Sequence, residues 1–292
     1  MQHLACPEGR WEVATALPHA RLRPGVQRYR GYRLNLDLPR QRLEVPDGAV
    51  TLLFSFDHEV RVTEALTPSA PGNAHRSMLV GLRTSAGLGR HSGRLYGLEV
   101  ILSPWKAYSL FGIPMHELAD TITDPIDLLG PRCRDLADAL ACAAGWAQRF
   151  DLLDTVFLHW SEDALPVSDR VRYAWRELAR TSGALPIGEL VAATGWGWRQ
   201  LENRFRAEIG LTPKGAARVM RLRKVLRLMA ADLPVAGIAA ECGFSDQAHL
   251  NREFKAMIGR TPRQFRHARG LDFAGPPTVD RVDGQVTSII LT

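Results

Sequence analysis

The spacing of apolar residues divides the chain into two regimes. Up to about residue 112 they come in short runs and alternations: "GAVTLLFSFDHEVRVTEAL" holds an apolar run and then a period of two, and "SMLVGL" and "RLYGLEVILS" are further short strands. Turn signals such as "LPRQ", "VPDG" and "PSAPGN" separate them. Many short strands in succession predict a barrel or a double sheet. From Pro114 the period lengthens. "CRDLADALACAAGWAQRFDLLDTVFLHW" puts Leu136, Leu140, Ala143, Ala144 and Ala147 at helical spacing, which predicts Arg149, Asp151 and Asp154 on the outward face. "SEDALPVSD", residues 161–169, reads as a linker, and everything from Ser168 to Gly270 reads as helix and turn. The tail holds a loop, "AGPPTVDRVDG", and then a strand-like "VTSIILT" to which the sequence assigns no role. The expected class is α+β, with a β-rich domain at 1–125, a helical connector at 126–167, an all-α domain at 168–270 and a tail at 271–292.

The helical region repeats itself. "LPIGELVAATGWGWRQLENRFRAEIGLTP" (185–213) aligns with "LPVAGIAAECGFSDQAHLNREFKAMIGRTP" (233–262). The offset is 48 residues from Pro186/Pro234 to Gly195/Gly243 and 49 from Leu201/Leu250 to Pro213/Pro262, so the second copy carries one extra residue just after its turn. Each copy opens with Pro at an expected first helical position, runs through Ile187, Leu190 and Val191 or Val235, Ile238 and Ala239, and stops at a glycine where positive φ costs little. Ser245 is the expected cap of the helix that follows. Helix, tight glycine turn, helix is the helix-turn-helix pattern. Between the copies, "KGAARVMRLRKVLRLMAAD" predicts one long amphipathic helix with Val219, Met220, Leu222, Val225, Leu226 and Met229 inward.

The second helix of each copy has two distinct faces. At about 100° per residue, Leu250, Phe254 and Met257 fall in one stripe, and Gln247, Ala248, Asn251 and Arg252 form the neighbouring face. In the first copy the anchors are Leu201 and Phe205, and the presented face is Trp198, Arg199, Glu202 and Asn203. Gln and Asn pair with adenine edges and Arg with guanine or phosphate, in a major groove wide enough for a helix. These eight positions are the candidate base readers. Arg204, Arg206, Lys214, Arg218, Ser245, Arg252, Lys255 and Arg263 are the candidate phosphate contacts.

Charge sharpens this picture. Residues 168–270 hold 19 Lys/Arg against 9 Asp/Glu, a net +10, so that the remainder carries −4 of the total +6. Such an asymmetry points a polyanion at the helical half alone. Double-stranded DNA is the expected partner. No apolar run approaches the ~20 residues a membrane span needs. "MQHLACPEGRWEV" lacks the apolar core of a secretory signal, so a cytoplasmic location is expected.

"GFSDQAHLNREFKAMIGRTPRQFR" resembles the signature segment of the AraC/XylS family of bacterial transcription regulators, and the resemblance covers roughly residues 170–268. It implies two helix-turn-helix units in one chain, joined by a long helix and reading successive major-groove faces. The chain departs from the pattern at Asn203, where arginine is common, and at Gly197, where serine is common; Glu202 is acidic on a face that approaches phosphates. "VPDGAVTLLFSFD" and "GLEVILSPWKAYSLFGIPMHELADTITDPIDLLG" resemble, more faintly, the sensor part of some actinobacterial members, which implies a cupin-like barrel followed by dimerising helices.

Rival readings leave weaker marks. Neither H-x-H nor H-E-x-x-H occurs among the nine histidines, and G-x-S-x-G and Walker A sequences are absent, so no catalytic group, cofactor or metal is expected. A cysteine-based DNA-repair chemistry needs clustered thiols, whereas Cys133 and Cys142 stand nine apart on a helix, on opposite faces. The alternatives are a barrel enzyme or repair protein with a helix-turn-helix appendage, or an effector-independent organiser of DNA. Trp11, Tyr29, Tyr32, Phe54, Phe56, Tyr96, Trp105 and Tyr108 are candidates to line an effector cavity, with Arg30 or Arg33 holding an anion, although aromatics in a β domain more often form plain core.

Overall fold

The computed structural model describes residues 2–6, 9–66, 72–270 and 286–291. Its strands are β1 (Gln2–Cys6), β2 (Gly9–Ala16), β3 (Val26–Leu36), β4 (Arg40–Glu44), β5 (Val50–Ser55), β6 (Val60–Glu64), β7 (Asn73–His75), β8 (Ser77–Val80), β9 (Gly87–His91), β10 (Arg94–Leu102), β11 (Ile122–Thr123) and β12 (Ser288–Ile290). Its helices are α1 (Pro104–Phe111), α2 (Pro125–Leu129), α3 (Pro131–Cys142), α4 (Trp146–Trp160), α5 (Asp169–Arg180), α6 (Ile187–Thr194), α7 (Trp198–Ile209), α8 (Pro213–Ala230), α9 (Val235–Glu241), α10 (Gln247–Ile258) and α11 (Pro262–Arg269).

The β-rich half is a double sheet. A 7-stranded sheet runs β1-β2-β3-β10-β5-β8-β11, and a 5-stranded sheet runs β12-β4-β9-β6-β7, with antiparallel pairing throughout. A period of two decides which side chains meet. On β3, Arg30, Tyr32 and Leu34 face a cavity between the sheets, while Tyr29 and Gly31 face the helices behind. A Cβ on Gly31 would lie 2.2 Å from the Trp146 ring, so this glycine lets α4 press directly on the sheet.

Packing behind the large sheet decides between core and cavity for the aromatics and corrects the outward placement of Arg149. Tyr29 stacks on Phe150 at 5.9 Å, and its hydroxyl donates to Asp154 Oδ1 at 2.8 Å. Phe56 and Tyr96 pack edge-on, as do Tyr96 and Trp146. The aromatics named above are therefore mostly core or partly buried flank, and of the eight only Tyr32 lines the cavity, joined by Arg30 but not Arg33. Arg149, expected outward, is 3% exposed. Its guanidinium sits within 5.0–5.3 Å of the Phe56, Tyr96 and Trp146 ring centres, and its Nε donates to Leu140 O at 2.8 Å. The cause is a break at Ala143–Gly145, which ends α3 and restarts α4 in a new phase. The cation replaces lost hydration with three π faces and a carbonyl.

In the helical half, the buried stripes fall where the period places them. Leu250, Phe254 and Met257 are 0%, 2% and 4% exposed, and Leu201 and Phe205 are 1% and 0%. Phe254 meets Phe265 of α11 edge-on at 5.6 Å. All six apolar positions expected on the connecting helix α8 are buried. Pro186 and Pro234 are the N-caps of α6 and α9, one residue earlier than expected. Each "TP" pair opens a helix: Thr212 caps α8, and Thr261 closes a capping box with Gln264 on α11.

The two halves touch along the small sheet and along α1. Ala86 N donates to Met257 O at 2.7 Å, which ties the β8–β9 connection to the C-terminal end of α10. Gly210, after α7, lies so close to Met115 that a Cβ there would be 2.9 Å from its carbonyl oxygen.

His91 of β9 makes this half sensitive to acid. It is 9% exposed on the cavity wall, accepts a bond from Gly93 N at 3.2 Å, and has its pKa pushed down to about 4 by burial and by Arg42 and Arg40. Below the ordinary imidazole value of about 6.5 the unfolded chain takes up a proton that the folded chain refuses. Stability contributed by neutral His91 is therefore complete above about pH 6.5 and falls as pH drops toward 4. Thermal unfolding at pH 7 and pH 5 should show a loss that His91→Gln reduces; an unchanged loss in that variant would assign the acid sensitivity elsewhere.

Candidate nucleic-acid interface

Two short helix pairs present the polar faces. In the first, Gly195 ends α6 with φ of 64° and α7 begins three residues later; in the second, Gly243 has φ of 70° and α10 begins four residues later. The extra residue seen in the sequence is thus spent in the second turn. There it permits a side-chain cap. Asp246, not Ser245, is the N-cap: its Oδ1 accepts from His249 N at 2.6 Å, and that bond holds its carboxyl below the usual range. Ser245 supports it, with Oγ bonded to Asp246 Oδ2 and 3.2 Å from His249 Nδ1. In the first unit Gly197 occupies the cap position and brings no side chain.

Anchoring of the inner stripe leaves the outer face open. On α10, Gln247, Ala248 and Arg252 are exposed and Asn251 is half-buried. Gln247 and Asn251 stand one helical turn apart and share that face. On α7, Trp198, Arg199 and Asn203 are exposed, with Trp198 at 50% despite its size. Its Nε1 donates to Glu202 Oε2 at 3.1 Å, so the acidic residue is engaged by its own helix.

The basic residues divide into paired and unpaired groups. Arg204 reaches the fully buried Glu208 at 2.8 Å, and Ser168 N also donates to Glu208 at 2.9 Å. Burial pushes the Glu208 carboxyl up, against the pull of the Ser168 N–H and Arg204. Arg218 of α8 bonds Glu253 of α10 at 3.0 Å, which locks the connecting helix to α10. Arg199, Arg206, Lys214, Arg252, Lys255 and Arg263 are exposed and make no ion pair among the described residues.

Sequence reading missed a pair of contacts behind the turns. Arg170 of α5 lies 5.2 Å from the ring centre of Trp196, and Arg221 of α8 lies 5.7 Å from that of Phe244. Trp196 and Phe244 each follow the turn glycine of their unit. The repeat therefore extends to the preceding helix, and each unit has three helices. An aromatic directly after each turn glycine was the available signal.

Away from this face, Cys133 is buried and its thiol is pushed up to about 12 by burial and Asp124, whereas Cys142 is exposed. Among the described residues no three His, Cys, Asp or Glu side chains gather as a metal site, and no helix is long and apolar enough to cross a membrane.

A family model described as a helix-turn-helix domain matches residues 190–268, and one described as a domain of unknown function, DUF6597, matches residues 14–124. The HTH-type transcriptional regulator MtrA of Neisseria gonorrhoeae is 32% identical over 85 residues, which are 29% of this chain and 28% of that one. The HTH-type transcriptional activator RhaS of Escherichia coli is 33% identical over 72 residues, 24% of this chain and 26% of that one. The chain thus spans little more than a quarter of the curated relatives it matches. Among solved structures, ToxT from Vibrio cholerae aligns over 89% of this chain and 98% of its own at 9% identity and a TM-score of 0.44. The C-terminal domain of AraT from Geobacillus stearothermophilus aligns over 38% and 95% at 21% identity and 0.34. Both scores are too low to carry an argument about function. Matched helix pairs, the long connecting helix and the aligned regulators together make residues 190–268 a helix-turn-helix domain of the AraC/XylS type.

Proposed function

We infer that the chain is a sequence-specific DNA-binding transcription regulator, whose N-terminal double sheet controls it through a small-molecule effector or through dimerisation. The carrying observation is the pair of amphipathic helices, α7 and α10, each held by a fully buried stripe and each offering a polar, exposed face. Gln247, Asn251, Arg252 and Arg199 read bases in this proposal. Trp198, Glu202, Asn203 and Ala248 shape the same faces, with Glu202 held by Trp198. Arg206, Lys214, Lys255 and Arg263 contact phosphates directly, and Ser245 lies at the start of α10 where a phosphate can approach. Arg204 and Arg218 are already paired, so they contribute less to that task than sequence alone suggests. Soluble placement beside the chromosome, with RNA polymerase as a further partner, belongs to the same proposal.

Salt is the first test. If Arg206, Lys214, Lys255 and Arg263 meet phosphates, log affinity falls with log salt at a slope of about −0.9 per phosphate neutralised. A flat response between low and moderate salt would remove DNA as the partner.

Geometry is the second. Two helices fixed by α8 should enter major-groove segments one turn, about 34 Å, apart on one face of the duplex. Inserting half a turn between the two protected segments should abolish tight binding. Survival of binding would mean that one unit works alone, the uncapped first being the idle one.

The third separates reading from holding. Gln247→Ala or Asn251→Ala should cost about 1–3 kcal/mol on the operator and little on random duplex. Phe254→Ala should cost about 3–5 kcal/mol of stability and weaken every sequence alike. Operator binding, random-duplex binding and thermal unfolding of the three variants check this together; melting by the two polar variants with specificity retained would reverse the assigned faces.

A further inference from the structure

The short strand that follows the helical half does not end in solvent. β12 returns to the front half and becomes the edge strand of the small sheet, with Ser288 opposite Glu44, Ile289 opposite Leu43 and Ile290 opposite Arg42. Val45 N donates to Thr287 O at 3.0 Å, and Leu291 N donates to Gln41 O at 2.8 Å. Thr287, Ser288 and Ile289 are fully buried. A tail with no further purpose has no reason to bury three consecutive residues.

Two side-chain contacts make this strand a junction. Arg42 Nη2 donates to Ser288 Oγ, and Arg42 lines the cavity between the sheets. From the other side, Arg269 at the end of α11 donates through Nη1 to Ser288 O at 3.1 Å. Ile290 itself is part of the cavity wall. Beside β12, residues Val45, Pro46, Asp47 and Ala49 also line the cavity, and α8 lies directly against this strap. A Cβ on Gly48 would be 3.1 Å from Arg223 Nη1 and 3.5 Å from Met220 Cε. One end of the cavity is thus closed by elements that the helical half holds in place.

The cavity has a volume of about 160 Å³. An apolar cavity of about 150 Å³ is known to accept benzene. Leu34, Leu53, Val62, Met78 and Val80 supply aliphatic wall from both sheets. Arg40, Arg42, Asp47, Arg83 and His91 add polar groups to the wall, and Arg30 pairs with Glu99 at 2.6 Å while its buried Nε–H has no hydrogen-bond partner among the described residues. That donor selects an oxygen acceptor on an otherwise apolar ligand.

We propose that this cavity is a ligand site completed by the strand that follows the helical half, taking a compact, mostly apolar molecule with one oxygen acceptor, and that β12 couples its occupancy to the second helix-turn-helix unit. The proposal rests on the regulator reading above for its output, but not for the site or for the strand. Occupancy changes the packing against Ile290 and Arg42, hence the hold of Ser288 on Arg269 and the seating of α11, against which Phe254 of α10 packs.

Gly89 offers a test without knowledge of the natural ligand. It lies on the cavity wall, and a Cβ added there meets nothing within 4 Å, so Gly89→Phe fills the space in place of a ligand. Cyclohexanone is the probe, with cyclohexane as the same shape lacking the acceptor. On the full chain, cyclohexanone should raise Tm more than cyclohexane, and Gly89→Phe should abolish both effects. Gly89→Phe should also change operator affinity at least fivefold, the lower range of measured couplings. That change should fall below twofold in Ile290→Ala and in a chain ending at Gly270, both checked for cooperative unfolding. Absence of any probe effect on Tm overturns the site. A full-sized change in the shortened chain and in Ile290→Ala overturns the strand as the route. Should no form bind DNA, the regulator reading fails separately, and hydrogen exchange at the Val45 and Leu291 amides decides the coupling: Gly89→Phe must alter it.

Discussion

A helix can offer a polar face to a partner only if its opposite face is held, and most of the helical half exists to hold two such helices. Leu201 and Phe205 on α7, and Leu250, Phe254 and Met257 on α10, are removed from water almost completely. Burying a large apolar side chain is worth roughly 1.5–3 kcal/mol, and each helix has several such side chains in its stripe. Orientation of the outer residues follows from this anchoring. The other devices serve the same end: the αL glycines turn the chain, Arg170 and Arg221 cover the aromatics behind those turns, and the Arg218–Glu253 pair ties α10 to α8.

Local periodicity made this half legible. The repeat located both turns, the connecting helix and each buried stripe, because all of these are set by residues three and four apart. The double sheet was legible as a class for a similar reason. Features that depend on contacts distant in sequence were not. Arg149 read as an outward charge on a continuous helix, and only a three-residue break, with rings from β5–β6 and β10 behind it, turns it inward. The strand-like tail was visible, but its partner, some 245 residues earlier, was not. Capping fell between these cases. Ser245 and Asp246 are adjacent, both cap well, and backbone geometry chooses between them.

The two units are alike in plan and unequal in finish. The second has a carboxylate cap, a supporting serine and an outer face of short neutral and basic groups. The first has a glycine in place of the cap, a large exposed indole and a carboxylate bound to it. An uncapped helix start is more easily frayed than a capped one. The inequality is therefore physical as well as chemical: the second helix meets its partner already ordered, and the first has more ordering to do.

The return of β12 to the small sheet changes what kind of module the helical half is. In chain order it lies between β11 and β12, so it is an insertion within the double sheet rather than an appendage at its end. During synthesis the small sheet waits for its last strand until every residue of the insertion has been made. The strand that follows the insertion lies beside β4 and the cavity, far along the chain from the first unit and close in space to the strap that α8 touches.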